Sequence, residues 1–120
     1  MACPNALAEL SQTRGDTVGY TFQRLSSTGQ VIKTTPQSLF FTVKHQFTDK
    51  EFVIQKKMNE MTLDNDGTWH FVLQSEDTES LDYGAYVFDI QVTDDDAVTT
   101  IAKGRFRLTE EATWAINEGE

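Results

Sequence analysis

Only one cysteine, Cys3, and two prolines, Pro4 and Pro36, occur in the 120 residues. A single cysteine excludes an intrachain disulfide, and a fold that manages without one suits a reducing cytoplasm. Apolar runs are short. None approaches the roughly 20 residues that a membrane-spanning helix needs, so no membrane contact is expected. The opening "MACPNALAEL" lacks a basic n-region and a continuous apolar h-region, so no secretory leader is expected there. Basic residues are scarce where acidic ones crowd. Residues 1–60 hold seven Lys/Arg against five Asp/Glu, +2, and residues 61–120 hold three against fourteen, −11. A chain with net charge −9 stays soluble and repels nucleic acid. An acidic, solvated surface is the plainer reading of this excess than a site for a basic partner. The asymmetry also lets opposite ends of neighbouring subunits attract one another.

The constellations of catalysis are missing too. His45 and His70 sit between inward-facing residues on different strands and read as exposed. There is no Ser/His/Asp set, Cys/His cluster or phosphate-binding glycine loop, so no catalytic residue, cofactor or enzymatic activity is expected. "RGD" at 14–16 matches an integrin-type tripeptide, but three residues recur easily by chance, and it reads most simply as a turn. "DND" at 64–66 and "DDD" at 94–96 offer the hard oxygens that calcium prefers. Neither supplies the spaced ligands of a calcium loop, and hairpin turns favour Asp and Asn in any case, so no metal ligand is assigned. Paired carboxylates for glycoside hydrolysis need a cleft, of which the sequence gives no sign. Trp69 reads as core, and Trp114 as packing the tail or touching a neighbour.

What is present is a period of two. Val18, Tyr20 and Phe22 alternate with polar residues, as do Leu39, Phe41 and Val43, then Phe52 and Ile54, then Trp69, Phe71 and Leu73. Tyr86, Phe88, Ile90 and Val92 form the longest alternation, and Phe106 and Leu108 face inward on the last strand. Gly29 and Asp66-Gly67 mark turns, Pro36 bars a central strand, and a short strand fits Val31–Lys33. Gly104 is read as a bulge and Ser75 as the cap of a helical turn in the acidic corner. "ALAELSQT" fits one weak helical turn or a loose arm. Six clear strands and a seventh short one predict an all-β, antiparallel, immunoglobulin-like β-sandwich. The expected organisation is an N-terminal arm over 1–14, the sandwich over 15–110 and a C-terminal tail over 111–120.

"SLDYGAYVFDI", residues 80–90, resembles the Asp-x-Gly-x-Tyr-x-Cys line by which immunoglobulin-type domains enter their sixth strand. Asp82, Gly84 and Tyr86 keep the register, and Phe88 stands where the cysteine would be. The likeness implies that Tyr86 hydrogen-bonds back to the "EDTES" segment as a corner. Burying Phe88 stabilises by roughly 1.5–3 kcal/mol, comparable to the roughly 2–4 kcal/mol of a disulfide.

Across roughly residues 15–113, the phrases "FFTVK", "EDTESLDYGAYVFDIQV" and "KGRFRLTEE" resemble small β-sandwich proteins of tailed bacteriophages and prophages. These include amino-terminal immunoglobulin-like modules of baseplate proteins and other virion-associated proteins. The resemblance implies a structural module of the tail, baseplate or neck, assembled in the host cytoplasm with other phage structural proteins and with copies of itself. No catalytic residue belongs to that pattern. The outward apolar residues Phe40, Val53, Val72 and Val87, with Trp114, are the expected contacts, unless the terminal arms cover them. The competing expectation is a receptor-recognition sandwich that binds carbohydrate or calcium.

Overall fold

Alternation of apolar and polar residues becomes a strand almost wherever it occurs. A computed structural model of the chain describes residues 7–110. In chain order its elements are β1 (Leu7–Thr13), β2 (Val18–Leu25), β3 (Val31–Ile32), β4 (Ser38–Lys44), β5 (Ile54–Lys57), β6 (Thr62–Leu63), β7 (Thr68–Leu73), α1 (Ser75–Thr78), β8 (Gly84–Asp94) and β9 (Ala97–Thr109). The strands form a five-stranded sheet in the order β1-β9-β8-β4-β5 and a four-stranded sheet in the order β3-β2-β7-β6. Strands β4, β8 and β9 occupy the C, F and G places of an immunoglobulin fold, and β2, β7 and β6 the B, E and D places. The fold is the all-β, immunoglobulin-like sandwich expected, with two more strands than the alternation marks.

One of the two is β1. Residues 7–13, expected in a helical turn or an arm, form a strand that pairs parallel with β9, Leu7 opposite Lys103 and Thr13 opposite Thr109. The antiparallel expectation therefore fails at this one ladder. A parallel neighbour needs a long connection between the two strands, and here nearly the whole domain supplies it. The other added strand is β6, whose two residues complete the hairpin with β7.

Between the sheets lies a core of alternate residues from every long strand, including Leu39, Phe41, Val43, Trp69, Phe71, Leu73, Phe88 and Phe106. Phe41 is its hub, with ring centroids 4.6 Å from Phe71 on the facing sheet and 5.8 Å from Phe88 on its own. Phe88 is 3% exposed. The cross-sheet tie that a disulfide makes in antibody domains is here a stack of buried rings.

Four local readings change. Phe52, expected inward, is exposed, because β5 begins only at Ile54. The bulge falls at Ile101, the extra residue between the Ile90–Ala102 and Gln91–Thr100 pairs, while Gly104 lies opposite Phe88 in regular register. Ser75 is the first residue of α1 rather than its cap. There the Asp77 carboxylate accepts from the Gln74 backbone N–H at 2.7 Å, satisfying a donor of the first turn. The corner tyrosine binds just beyond the "EDTES" segment, as described below.

Gly67 matters twice in the β6–β7 turn. Its φ is +91°, and a Cβ there would stand 2.4 Å from Val31 Cγ1 of β3. Only glycine meets both conditions.

Candidate interaction surface

At one end of the sandwich the polar groups are locked together. Tyr86 Oη donates to the Asp82 carbonyl at 2.7 Å, closing the corner expected from its register. Gly84 enters β8 at φ +135°, a conformation that side chains rarely adopt. Arg14, the first residue of "RGD", reaches across to the same corner. It donates to the Leu81 carbonyl at 3.1 Å and to Tyr83 Oη at 2.9 Å, and its guanidinium lies 4.1 Å from the centre of the Tyr83 ring. The Gly15 N–H donates to Thr78 Oγ1 at 2.8 Å. The tripeptide is thus the turn between β1 and β2, and its arginine is committed to the fold.

The opposite end is open. Arg24, on the last turn of β2's alternation, is 4% exposed. It donates to Asp94 at 2.7 Å and to the Thr34 carbonyl at 2.6 Å, while its Nε finds no partner among the described residues. Above it lies a cleft of about 180 Å³ between the sheets, with Leu25, Ile32, Thr99 and Ile101 on its walls. Beside the cleft the β8–β9 hairpin turns through Asp95 and Asp96, both with positive φ, +48° and +64°. That pair of left-handed residues makes the tight turn whose twist matches the strands.

The expected contact residues do not gather into one patch. Phe40 and Val87 are half-buried on the outer face of the five-stranded sheet, where Phe47 shares a shallow hollow with Val87. Val72 is exposed on the far face, on the four-stranded sheet opposite Gly19, which has no side chain to cover it. Val53 packs against the core, so it is withdrawn from the contact set. Trp114 lies outside the described residues. Beside Val72, the large apolar side chains left exposed are Leu25, Phe47, Phe52 and Val98, with Val98 the most exposed at 64%. Alternation missed them because all four sit where a strand ends or a loop begins.

Both acidic clusters serve turns. The Asp64 carboxylate lies 2.6 Å from His70 Nε2, and Asp66 accepts from the Thr68 N–H at 3.0 Å. Hydrogen bonds from the Thr68 side chain and then its backbone hold the Asp66 carboxyl below its usual range. Asp94 pairs with Arg24, and Asp96 accepts from Gln37 Nε2 at 3.1 Å. Among the described residues no three His, Cys, Asp or Glu side chains come together as a metal site. On the outer face of the five-stranded sheet, burial pushes the Asp89 carboxyl up, against the pull of Lys44 and Lys103.

No protein-family model matches this chain, and no curated protein does. Solved structures do resemble it. One is the endo-β-1,4-mannanase of Thermotoga petrophila, at 12% identity and a TM-score of 0.55 over 86% of this chain. This chain spans 18% of the mannanase's length. At that identity the likeness is one of fold alone. CopC from Methylosinus trichosporium OB3b aligns over 92% of this chain and 91% of its own, at 12% identity and a TM-score of 0.46. Tim-1 aligns over 89% of this chain and 94% of its own, at 10% identity and a TM-score of 0.37.

Proposed function

We propose that this chain is a non-enzymatic interaction module of a bacteriophage particle, in its tail, baseplate or neck, working through protein–protein contacts of the sandwich. Two lines of support meet in it. The phrases "FFTVK", "EDTESLDYGAYVFDIQV" and "KGRFRLTEE" resemble phage virion-associated sandwiches. The observation that carries the contact role is the open end, where exposed Leu25 and Val98 stand beside the cleft and the outer edge of β9. Exposed apolar side chains beside a cleft are what one protein surface offers to another.

The gene's neighbours and the particle itself test this. Peptides of the chain are expected in purified virions, and its gene among tail or head-closure genes. A place in a metabolic operon, with no such peptides in particles, would overturn the reading. Calcium titration during a thermal melt adds a discriminating arm. A melting point unmoved by calcium fits a contact module, whereas a rise of several degrees would move the assignment to a ligand-binding sandwich.

A further inference from the structure

We infer that the outer face of the five-stranded sheet is a docking site for the chain's own acidic tail, residues 111–120, with Trp114 seated against Phe47 and Val87. The inference goes beyond the assembly reading above and does not depend on it. The tail takes one sheet face, and the open end keeps its exposed Leu25 and Val98 for partners.

Charge marks this face. Along β4, β8 and β9 buried residues alternate with outward ones. The registers set the outward ones in rows, Lys44, Val87 and Arg105 in one, Thr42, Asp89 and Lys103 in the next. Lys57 of β5 lies opposite Phe40, and Arg107 opposite Ala85. Five of the chain's ten Lys and Arg residues thus share one sheet face. On these strands only Asp89 and Glu9, the latter opposite Arg105, oppose them there. Among the described residues Arg107 is the one cation of the five in an ion pair, with Glu9 at 3.7 Å. On a chain of net charge −9 this is a basic island. It is apolar as well. Phe47 is 48% exposed, shares a hollow with Val87, and has its ring centre 5.8 Å from Lys103 Nζ.

Composition and reach choose the occupant. Residues 111–120, "EATWAINEGE", lie outside the described residues. They carry Glu111, Glu118 and Glu120, no Lys or Arg, and Trp114 and Ile116 between the acids. Strand β9 delivers this segment from Thr109, at the corner end of the same sheet. From Thr109 back to the row of Arg105 and Val87 is four residues along β9 and one strand across. That is about 14 Å, at about 3.3 Å per residue and about 4.8 Å between strands. Five residues of extended chain reach at most about 17 Å, enough to bring Trp114 to Phe47 and Val87 and the later glutamates toward Lys103 and Lys44. Acid on base, and an aromatic ring on an apolar hollow, are the complementarities by which surfaces dock. So short a tether holds the tail at an effective concentration of roughly millimolar, where weak contacts suffice.

Acrylamide quenching of tryptophan fluorescence on the whole chain is the test, because the chain has two tryptophans and Trp69 is 2% exposed. A Trp114→Phe variant supplies the Trp69 baseline, and the difference reports Trp114. The expected result is a Trp114 quenched several-fold less than free N-acetyltryptophanamide, equally so at every protein concentration, with the shielding weakened by salt. Phe47→Ser, at an exposed position, and the pair Lys103→Gln with Arg105→Gln each weaken docking about tenfold and raise quenching toward the free value. Circular dichroism melts of every variant confirm that each remains folded. Quenching of Trp114 at the free value overturns the inference. So does shielding that grows with protein concentration, which would make a second copy the occupant. Shielding that survives salt and both sets of substitutions also overturns it, since Trp114 would then be held elsewhere. None of these outcomes bears on the assembly reading, which detection in virions decides separately.

Discussion

The two ends of the sandwich each hold an arginine that reaches between elements, and the two are set up differently. Arg14 meets two acceptors and lies over an aromatic ring, in a corner that Tyr86 also pins. Arg24 likewise meets two acceptors, but it is the more deeply buried, and its carboxylate partner Asp94 is half in water. Among the described residues β1 pairs with β9 at the corner end, from Lys103 to Thr109. A guanidinium stabilises a fold when its donors are satisfied by preformed acceptors. Where a buried guanidinium leans on a carboxylate that water already solvates, the desolvation cost cancels most of the gain. The closed end is therefore built for stability, and the open end exposes the apolar side chains of Leu25 and Val98.

The largest effect is expected in the β6–β7 turn, at the open end. Gly67→Ala forces a side chain into a left-handed conformation and against Val31 of β3, costing about 2–4 kcal/mol. Urea unfolding should show a lower midpoint with little change in slope. A loss below about 1 kcal/mol would mean that β3 yields freely, and that the cleft wall is softer than its packing implies.

Next come the arginines, compared directly. Arg14→Met removes two charge-assisted hydrogen bonds and the ring contact, for about 2–3 kcal/mol. Arg24→Met keeps the apolar bulk, frees Asp94 and the Thr34 carbonyl to bind water, and costs about 0–1 kcal/mol. Equal losses in the two variants would erase the distinction between the ends. Tyr86→Phe, which leaves the ring in place and removes only the corner hydrogen bond, should cost about 1 kcal/mol.

The closed end was the legible one. Its register is local: Asp82, Gly84 and Tyr86 lie within five positions, and their spacing alone forecasts the corner. Phe88, Trp69 and Phe41 announce themselves as core by alternation. The open end depends on relations that span the chain. That β1 would be a strand rests on a partner about 96 positions away, and "ALAELSQT" carries no period-two signal of its own. Arg24 shares the inward parity of Val18, Tyr20 and Phe22, but alternation does not say how a guanidinium is met there, because its acceptors, Thr34 and Asp94, come from two other segments. Val98 and Leu25 follow the same rule. Each sits at a strand end, where alternation no longer decides exposure.

The smallest effect expected concerns Asp89, on the face between the two ends. Burial raises its carboxyl above the usual 3.8, while Lys44 and Lys103 pull the other way. An acid whose folded pKa is raised holds its proton more tightly in the native state, so Asp89's contribution to stability falls as pH climbs from 3.8 toward the folded value and is level above it. Asp89→Asn removes that decline, so the variant gains on the wild type as pH rises through this window, and the two should run parallel beyond it. Salt sharpens the result, because screening Lys44 and Lys103 leaves burial less opposed and steepens the wild-type decline. Lys103→Met should act in the same direction at low salt. Urea midpoints measured from pH 3 to pH 7 check all three curves. A wild-type curve that gains on Asp89→Asn through the window would mean that the two lysines outweigh burial, and that this face holds its carboxylate by attraction.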